Sequence, residues 1–226
     1  MIPSRTGAIL GITTLVSTCI TGCANDPPSA AVGIEVRGCD PGIEHGSGMI
    51  VETDIGPLVL TSAHVVKGAR SITVTRGDER AQATVVAFDP EMDLAHLAVD
   101  ELATPFPWAV DSTAITGGEV GSAYVVRDGR VVTLPVTVVR RINIRTEDIY
   151  IDGETLKPGY ELRVDIDPGD SGGAVVVDGE VIGVVWARSR RDVDRAYGID
   201  PDRAGTTITR QLRTGDLTGV DLTRCS

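Results

Sequence analysis

Asp167-Pro168-Gly169-Asp170-Ser171-Gly172-Gly173 decides how the rest of this 226-residue chain is read. Proline followed by glycine predicts a tight turn. The glycines at 169, 172 and 173 let the backbone adopt conformations that a Cβ forbids and approach another chain closely. Ser171 has small neighbours and nothing beside it to shield its hydroxyl. The run feeds Ala174-Val175-Val176-Val177, then Asp178-Gly179, then Val181-Ile182-Gly183-Val184-Val185-Trp186, which reads as a buried β-hairpin closed by a type I′ turn. A hydroxyl on such a loop is a weak nucleophile unless a base takes its proton.

Three histidines, at 45, 64 and 96, are the candidate bases, and all precede Ser171. Gly169 to Gly173 also fits G-x-S-x-G, the nucleophile elbow of α/β-hydrolases, but that fold needs its histidine after the serine. The order His, Asp, Ser remains, which is the chymotrypsin-type order.

With their neighbours these residues resemble the trypsin-like serine protease superfamily. Leu60-Thr61-Ser62-Ala63-His64 is similar to the segment around the general base, and Asp93-Leu94-Ala95-His96-Leu97 to the segment carrying the triad aspartate. Gly169-Asp170-Ser171-Gly172-Gly173 is similar to the nucleophile loop. The short spacings are those of the bacterial HtrA-like branch, and the resemblance spans residues 31 to 213. A narrower resemblance rests on Cys39 ahead of Gly46-Ser47-Gly48, Arg145-Thr146-Glu147-Asp148-Ile149-Tyr150, the nucleophile loop and Cys225. Together these are similar to the protease domain of the actinobacterial membrane-anchored acid-resistance protease family, which faces the periplasm and processes envelope proteins. No block long enough for a PDZ module follows residue 213, where many HtrA-like relatives carry one, so a PDZ-gated oligomer is not expected.

Composition agrees with a soluble globular domain: 42% hydrophobic and 23% charged residues, with 26 glycines and 12 prolines favouring strands and turns over helices. The net charge of −11 argues against nucleic acid as a partner, since that role needs a basic face. Residues 1–22 read as an export signal: Arg5 supplies the positive start, and Gly7 to Ile20 is apolar but short for a bilayer span. Ile20-Thr21-Gly22-Cys23 resembles the bacterial lipobox, whose cysteine is acylated, so Cys23 is the expected lipid anchor; plain secretory cleavage nearby is the alternative. Residues 23–30, with Pro27-Pro28, then read as a short tether, and 31–226 as the protease domain. An exported chain sits in an oxidising compartment, where Cys39 and Cys225 can pair and staple the tail to the start of the domain, contributing roughly 3–5 kcal/mol.

The body reads as all-β. Expected strands are 32–37, 48–52, 58–61, 71–75, 83–88, 94–99, a hairpin of 122–127 and 131–139 around Asp128-Gly129, 161–164, and the hairpin after Ser171. Pro135 within the second arm implies an edge position or a bulge. A short helix over 207–213 closes the domain. Periodicity alone gives a barrel or a sandwich; two packed six-stranded Greek-key β-barrels follow from the resemblance.

The resemblance implies Ser171 as nucleophile, His64 as general base and Asp93 as the residue orienting the imidazole, with the N–H groups of Gly169 and Ser171 as the oxyanion hole. His45 is read as an exposed loop residue and His96 as packed or hydrogen-bonded in a strand. Asp89 and Glu91 are read as solvated. In digestive relatives the aspartate at the position of Asp170 pairs with an N-terminus freed by zymogen cleavage. An acylated Cys23 cannot supply that partner, so the site is expected to form without such a cut or to be ordered by substrate. Asp165 stands where trypsins keep their specificity acid, but the intervening Ile166-Asp167-Pro168 differs, and it reads first as a strand-end charge or one paired elsewhere. Trp186 and Tyr197 are candidate walls of the substrate groove, and Arg188, Arg190, Arg191 and Arg195 form a nearby basic patch. No metal or other cofactor is implied. The expected partners are peptide or protein substrates of the envelope and, through the lipid, a membrane. A catalytically silent scaffold and an esterase are the alternatives.

Overall fold

The computed structural model describes residues 27–99 and 109–225. The expected signal segment and Cys23 lie outside those residues. Twelve strands form two closed barrels. The first contains β1 (Ala31–Arg37), β2 (Glu44–Val51), β3 (Leu58–Thr61), β4 (Ser71–Arg76), β5 (Glu79–Asp89) and β6 (Leu94–Val99). The second contains β7 (Val120–Arg127), β8 (Arg130–Glu147), β9 (Glu154–Arg163), β10 (Ala174–Val177), β11 (Glu180–Arg188) and β12 (Arg195–Ile199). Neighbours run β1-β2-β3-β6-β5-β4 and β10-β11-β12-β9-β8-β7, the crossed order of a Greek key, and closure leaves neither sheet an open edge. The expected all-β double barrel is the observed architecture.

The hairpin after Ser171 lies where the two barrels meet, and its continuous apolar run has a geometric cause. Alternate side chains point to opposite faces of a strand. Val175, Val177, Ile182 and Val185 fill the second barrel, while Ala174, Val176, Val181 and Val184 join the cluster that includes the first barrel's core. Both faces of β10, and of β11 from Val181 to Val185, are therefore dry. Asp178 and Gly179 have φ of 51° and 87°, as the type I′ turn demands; Asp128 and Gly129 repeat this with 50° and 71°.

Some elements depart from the sequence reading. The sequence pattern predicts a loop for the first half of β2, because Glu44-His45-Gly46-Ser47-Gly48 holds little apolar signal. It is strand, and its glycines are packing sites: a Cβ on Gly46 would fall 2.4 Å from Val65 Cγ1, and one on Gly48 2.8 Å from Val59 Cγ1. β8 and β9 are far longer than the sequence pattern predicts, and β12 is a strand where that pattern predicts none. Pro135 pairs with Ser122 of β7, whereas β8 meets β9 only from Thr137 onward. Pro135 thus lies in a one-sided, edge-like stretch where a missing N–H is tolerated.

Four short helices complete the described residues: α1 (Pro27–Ala30), α2 (Ala63–Val66), α3 (Pro201–Ala204) and α4 (Thr206–Thr214). Ala30 is fully buried, so packing begins within the segment read as a tether. The expected closing helix is α4, which crosses back to the first barrel: buried Gln211 accepts from Phe88 N–H (2.8 Å) and donates to Phe88 C=O (3.0 Å). Cys39 and Cys225 are bonded, joining positions 186 residues apart.

Candidate active site

His64 lies in α2, a single turn entered from β3. Ser62 occupies the N-cap position, but its hydroxyl leaves the helix and donates to Val185 C=O in β11 (3.3 Å). The backbone N–H of His64 donates to Asp93 Oδ1 and its Nδ1 meets Asp93 Oδ2, both at 2.8 Å. Two contacts from one residue fix the carboxylate against the ring, so Nδ1 carries the proton and Nε2 is left as the acceptor.

Asp93 sits in the β5–β6 connection with φ of 60°, a left-handed conformation uncommon outside glycine and best tolerated by Asn and Asp. Asp89 helps to set that turn, since its Oδ1 accepts the N–H groups of Glu91 and Met92 at 3.0 and 2.9 Å. Asp89 is buried at 4% exposure rather than solvated as expected; Glu91 is exposed. Asp93 is 2% exposed and accepts a third donor, the indole N–H of Trp186, at 2.8 Å. Over the Trp186 ring, 5.7 Å from its centroid, lies the ammonium of Lys157, a fully buried lysine on β9.

The charges are coupled. Burial raises the Asp93 pKa, but the His64 charge and hydrogen bonds, with Lys157 beyond, hold it below the usual carboxylate range. Burial opposes a charged His64, yet the neighbouring Asp93 outweighs it and raises the imidazole above its ordinary value. Burial lowers the Lys157 pKa against the attraction of Asp93 and Asp89.

Ser171 is half-buried at the seam. Its carbonyl accepts the N–H of Ser47 in β2 (2.8 Å), while Ser47 Oγ donates to Gly169 C=O (3.1 Å) and accepts Val126 N–H (2.9 Å). Thr61 Oγ1 closes the network on Ser47 C=O at 2.7 Å. Gly172 has φ of 87°, and a Cβ there would lie 2.1 Å from both Ser47 O and Thr61 Oγ1, so only glycine fits against the first barrel. Gly172 N–H donates to Val185 C=O (2.9 Å), the same oxygen that takes Ser62 Oγ. One carbonyl thereby joins the residue after Ser171 to the segment two residues before His64. Among the described residues the Ser171 hydroxyl makes no hydrogen bond; such contacts commonly tighten only with substrate in place.

Asp167 C=O accepts Asp170 N–H (3.1 Å) around Pro168 and Gly169, the latter at φ of 98°, which makes a type II turn. Among the described residues the N–H groups of Gly169 and Ser171 donate to no protein acceptor, leaving both available to an oxyanion. Asp170 is fully buried and paired: Arg127 Nε meets its Oδ1 at 2.9 Å and Nη2 its Oδ2 at 2.6 Å. No local pattern in the sequence points to that partner.

His45 is exposed, on β2 rather than in a loop. His96 is buried, its Nδ1 without a hydrogen-bond partner among the described residues, and burial lowers its pKa to about 4. Asp165 is exposed, with its carbonyl 3.5 Å from Arg127 Nη2. Tyr197 is half-buried on β12 opposite Ala187. In the basic patch, Arg188 lies 4.0 Å from Asp167, and Arg195 pairs with Glu161 and Asp192 at 3.1 and 3.5 Å. The described residues contain no cluster of His, Cys, Asp or Glu placed to hold a metal ion.

Residues 46–184, which include all three motif segments, match the trypsin-like peptidase domain. The chain belongs to the trypsin-like peptidase family. This trypsin-like peptidase is 33% identical over 181 residues to serine protease Rv3671c of Mycobacterium tuberculosis, a match covering 76% of the chain and 45% of that relative. It is also 33% identical over 177 residues to a probable periplasmic DegP-like serine endoprotease of Halomonas elongata, covering 74% of the chain and 35% of that protein. The chain thus spans less than half the length of these relatives. The crystal structure of the M. tuberculosis Rv3671c protease in its active form superposes with a TM-score of 0.74 at 29% identity, covering 100% of this chain and 98% of that one.

Proposed function

We propose that this trypsin-like peptidase is a serine endopeptidase of the cell envelope that works through Ser171, His64 and Asp93. The observation carrying the reading is the doubly held His64–Asp93 pair, tied through the Val185 carbonyl to the loop of Ser171. As Ser171 Oγ attacks a substrate carbonyl, His64 Nε2 takes its proton, and Asp93 stabilises the imidazolium that forms. The charge developing on the carbonyl oxygen is met by the N–H groups of Gly169 and Ser171, each worth roughly 2.7–4 kcal/mol in the transition state. His64 then returns the proton to the leaving amine, giving an acyl-enzyme that water hydrolyses by the reverse path.

The envelope assignment rests on the export signal read in residues 1–22, on Cys23 as a lipid anchor, and on the relatives described as periplasmic endoproteases. Its partners are then exported peptides or proteins and, through the acyl chain, a membrane surface. Incubation of the wild-type protein and Ser171→Ala with unfolded protein substrates tests the activity. Cleavage by the first and none by the second is expected. Binding of the same substrates without cleavage by either would instead establish a silent scaffold, and turnover of esters alone an esterase.

A further inference from the structure

Lys157 brings a full charge into the protein interior, and the chemistry proposed for Ser171, His64 and Asp93 does not use it. It stands on β9 opposite Ile144 of β8 and is 1% exposed. Among the described residues its ammonium forms neither a hydrogen bond nor an ion pair. Its contact is the Trp186 ring, with Nζ 5.7 Å from the centroid, inside the roughly 6 Å reach of a cation–π interaction. A buried cation with no carboxylate against it lowers stability relative to an apolar side chain in the same place. Packing alone therefore gives no reason for a lysine here.

Trp186 needs such a contact. The β11–β12 register shifts between Val185 and Ala187, so Trp186 is the residue at the bulge without a partner in β12. Its indole N–H reaches Asp93 Oδ2 at 2.8 Å. One hydrogen bond fixes the edge of the ring but lets its plane rock about the N–H···O line. A cation held against one face removes that freedom, and it polarises the ring so that the N–H becomes a stronger donor.

We infer that Lys157 is a positioning residue of the active site: its ammonium holds the Trp186 ring so that the indole N–H stays on Asp93, the carboxylate that orients His64. The inference rests on the endopeptidase reading above. Lys157 touches no reacting atom, so its effect on kcat passes through the indole. Its charge also bears on the base. His64 faces Asp93, Lys67 and Lys157, and Lys157 in turn faces Asp93, Asp89, Asp148 and Glu91. Asp93 favours the imidazolium, and the two lysines oppose it.

The test measures wild type, Lys157→Met, Trp186→Phe and the double variant on a peptide amide substrate. Methionine keeps the length of the side chain and removes its charge. In the wild-type background the substitution is expected to lower kcat by about tenfold, the scale of one hydrogen bond to a charged group, with KM changed by less than about threefold. In the Trp186→Phe background no N–H remains to be aimed, and it should change kcat by less than about twofold. The acid limb of kcat/KM should move to higher pH in Lys157→Met, because a charge opposing the imidazolium is gone. The indole N–H proton resonance that Trp186→Phe removes should move upfield as its hydrogen bond weakens. The urea midpoint should stay equal or rise, which separates this role from a structural one. Should the Met variant fail to fold, Lys157→Gln, neutral and of similar reach, carries the same comparison. A folded neutral variant with wild-type kcat, or one whose kcat falls equally in both backgrounds, overturns the inference while the endopeptidase reading stands. A wild-type chain that hydrolyses nothing overturns both.

Discussion

The indole N–H of Trp186 donates to Asp93 Oδ2 over 2.8 Å, on the same oxygen that faces His64 Nδ1. Trp186 therefore touches the acid of the candidate triad, a role beyond that of a groove wall. Its ring also carries the Lys157 ammonium, so a buried cation, an aromatic face and a buried carboxylate stack in series behind the imidazole. A hydrogen bond to a charged group contributes roughly 1.5–3 kcal/mol. Trp186→Phe keeps an aromatic wall and removes only the donor. Its kcat is expected to fall by about tenfold with KM nearly constant, and its acid limb to move to higher pH as Asp93 turns more strongly to His64. A rise in KM with kcat unchanged would reduce Trp186 to a wall.

The pH dependence of activity follows from His64. Its sequence-based expectation is the reference value of ~6.5, and in the folded chain Asp93 overcomes the burial penalty and raises it. A general base fails once protonated. Activity should therefore decline as pH falls through an apparent pKa above 6.5, visible in the kcat/KM profile of the free enzyme. A plateau extending below pH ~6 would contradict this assignment.

Stability should carry a separate acid limb from His96. Burial depresses its native pKa to about 4, while the unfolded chain titrates near 6.5. Above pH ~6.5 neither state binds the proton and the native state keeps its full stability. As pH falls from ~6.5 towards 4 only the unfolded state protonates, and about 3 kcal/mol is lost. Urea unfolding at pH 7.5 and 4.5 should show this loss in the wild type and a smaller one in His96→Leu. Equal losses in the two proteins would remove His96 as the cause.

The Cys39–Cys225 bond closes a loop of 186 residues and packs on Gly68, four residues after His64, where a Cβ would fall 2.0 Å from Cys39 Sγ. Replacing both cysteines by serine should lower stability by ~3–5 kcal/mol, read as a lower denaturation midpoint. Because the bond lies behind α2, kcat at 25 °C should stay within a few-fold. A kcat loss without a stability loss would mean that the bond positions His64 directly.

What could be read from the sequence was whatever short-range pattern controls. The β10–β11 hairpin was legible because Asp178-Gly179 separates two apolar runs, and α4 because its length and position suit a closing helix. β12 escaped notice because Arg195-Ala196-Tyr197-Gly198-Ile199 has one glycine and few large apolar residues; it is a strand only because β9 and β11 flank it. Glu44–Gly48 is not legible because Gly46 and Gly48 resemble a turn, while their purpose is to let Val65 and Val59 approach. At the site, local motifs pointed to His64, Asp93 and Ser171. Arg127 lies 43 positions from Asp170, and Trp186 93 positions from Asp93, so neither partnership leaves a local trace. Ser47 gathers Ser171, Gly169, Val126 and Thr61, yet reads in sequence as one more small residue between glycines.

The most direct test of the account is where a fluorophosphonate probe attaches. Mass spectrometry of the labelled wild-type protein should find a single adduct on Ser171, formed at least about 10³-fold more slowly in His64→Ala, where no base remains. An adduct on another residue, or labelling of Ser171 at an equal rate with and without the imidazole, would contradict the partnership of these two side chains across the seam.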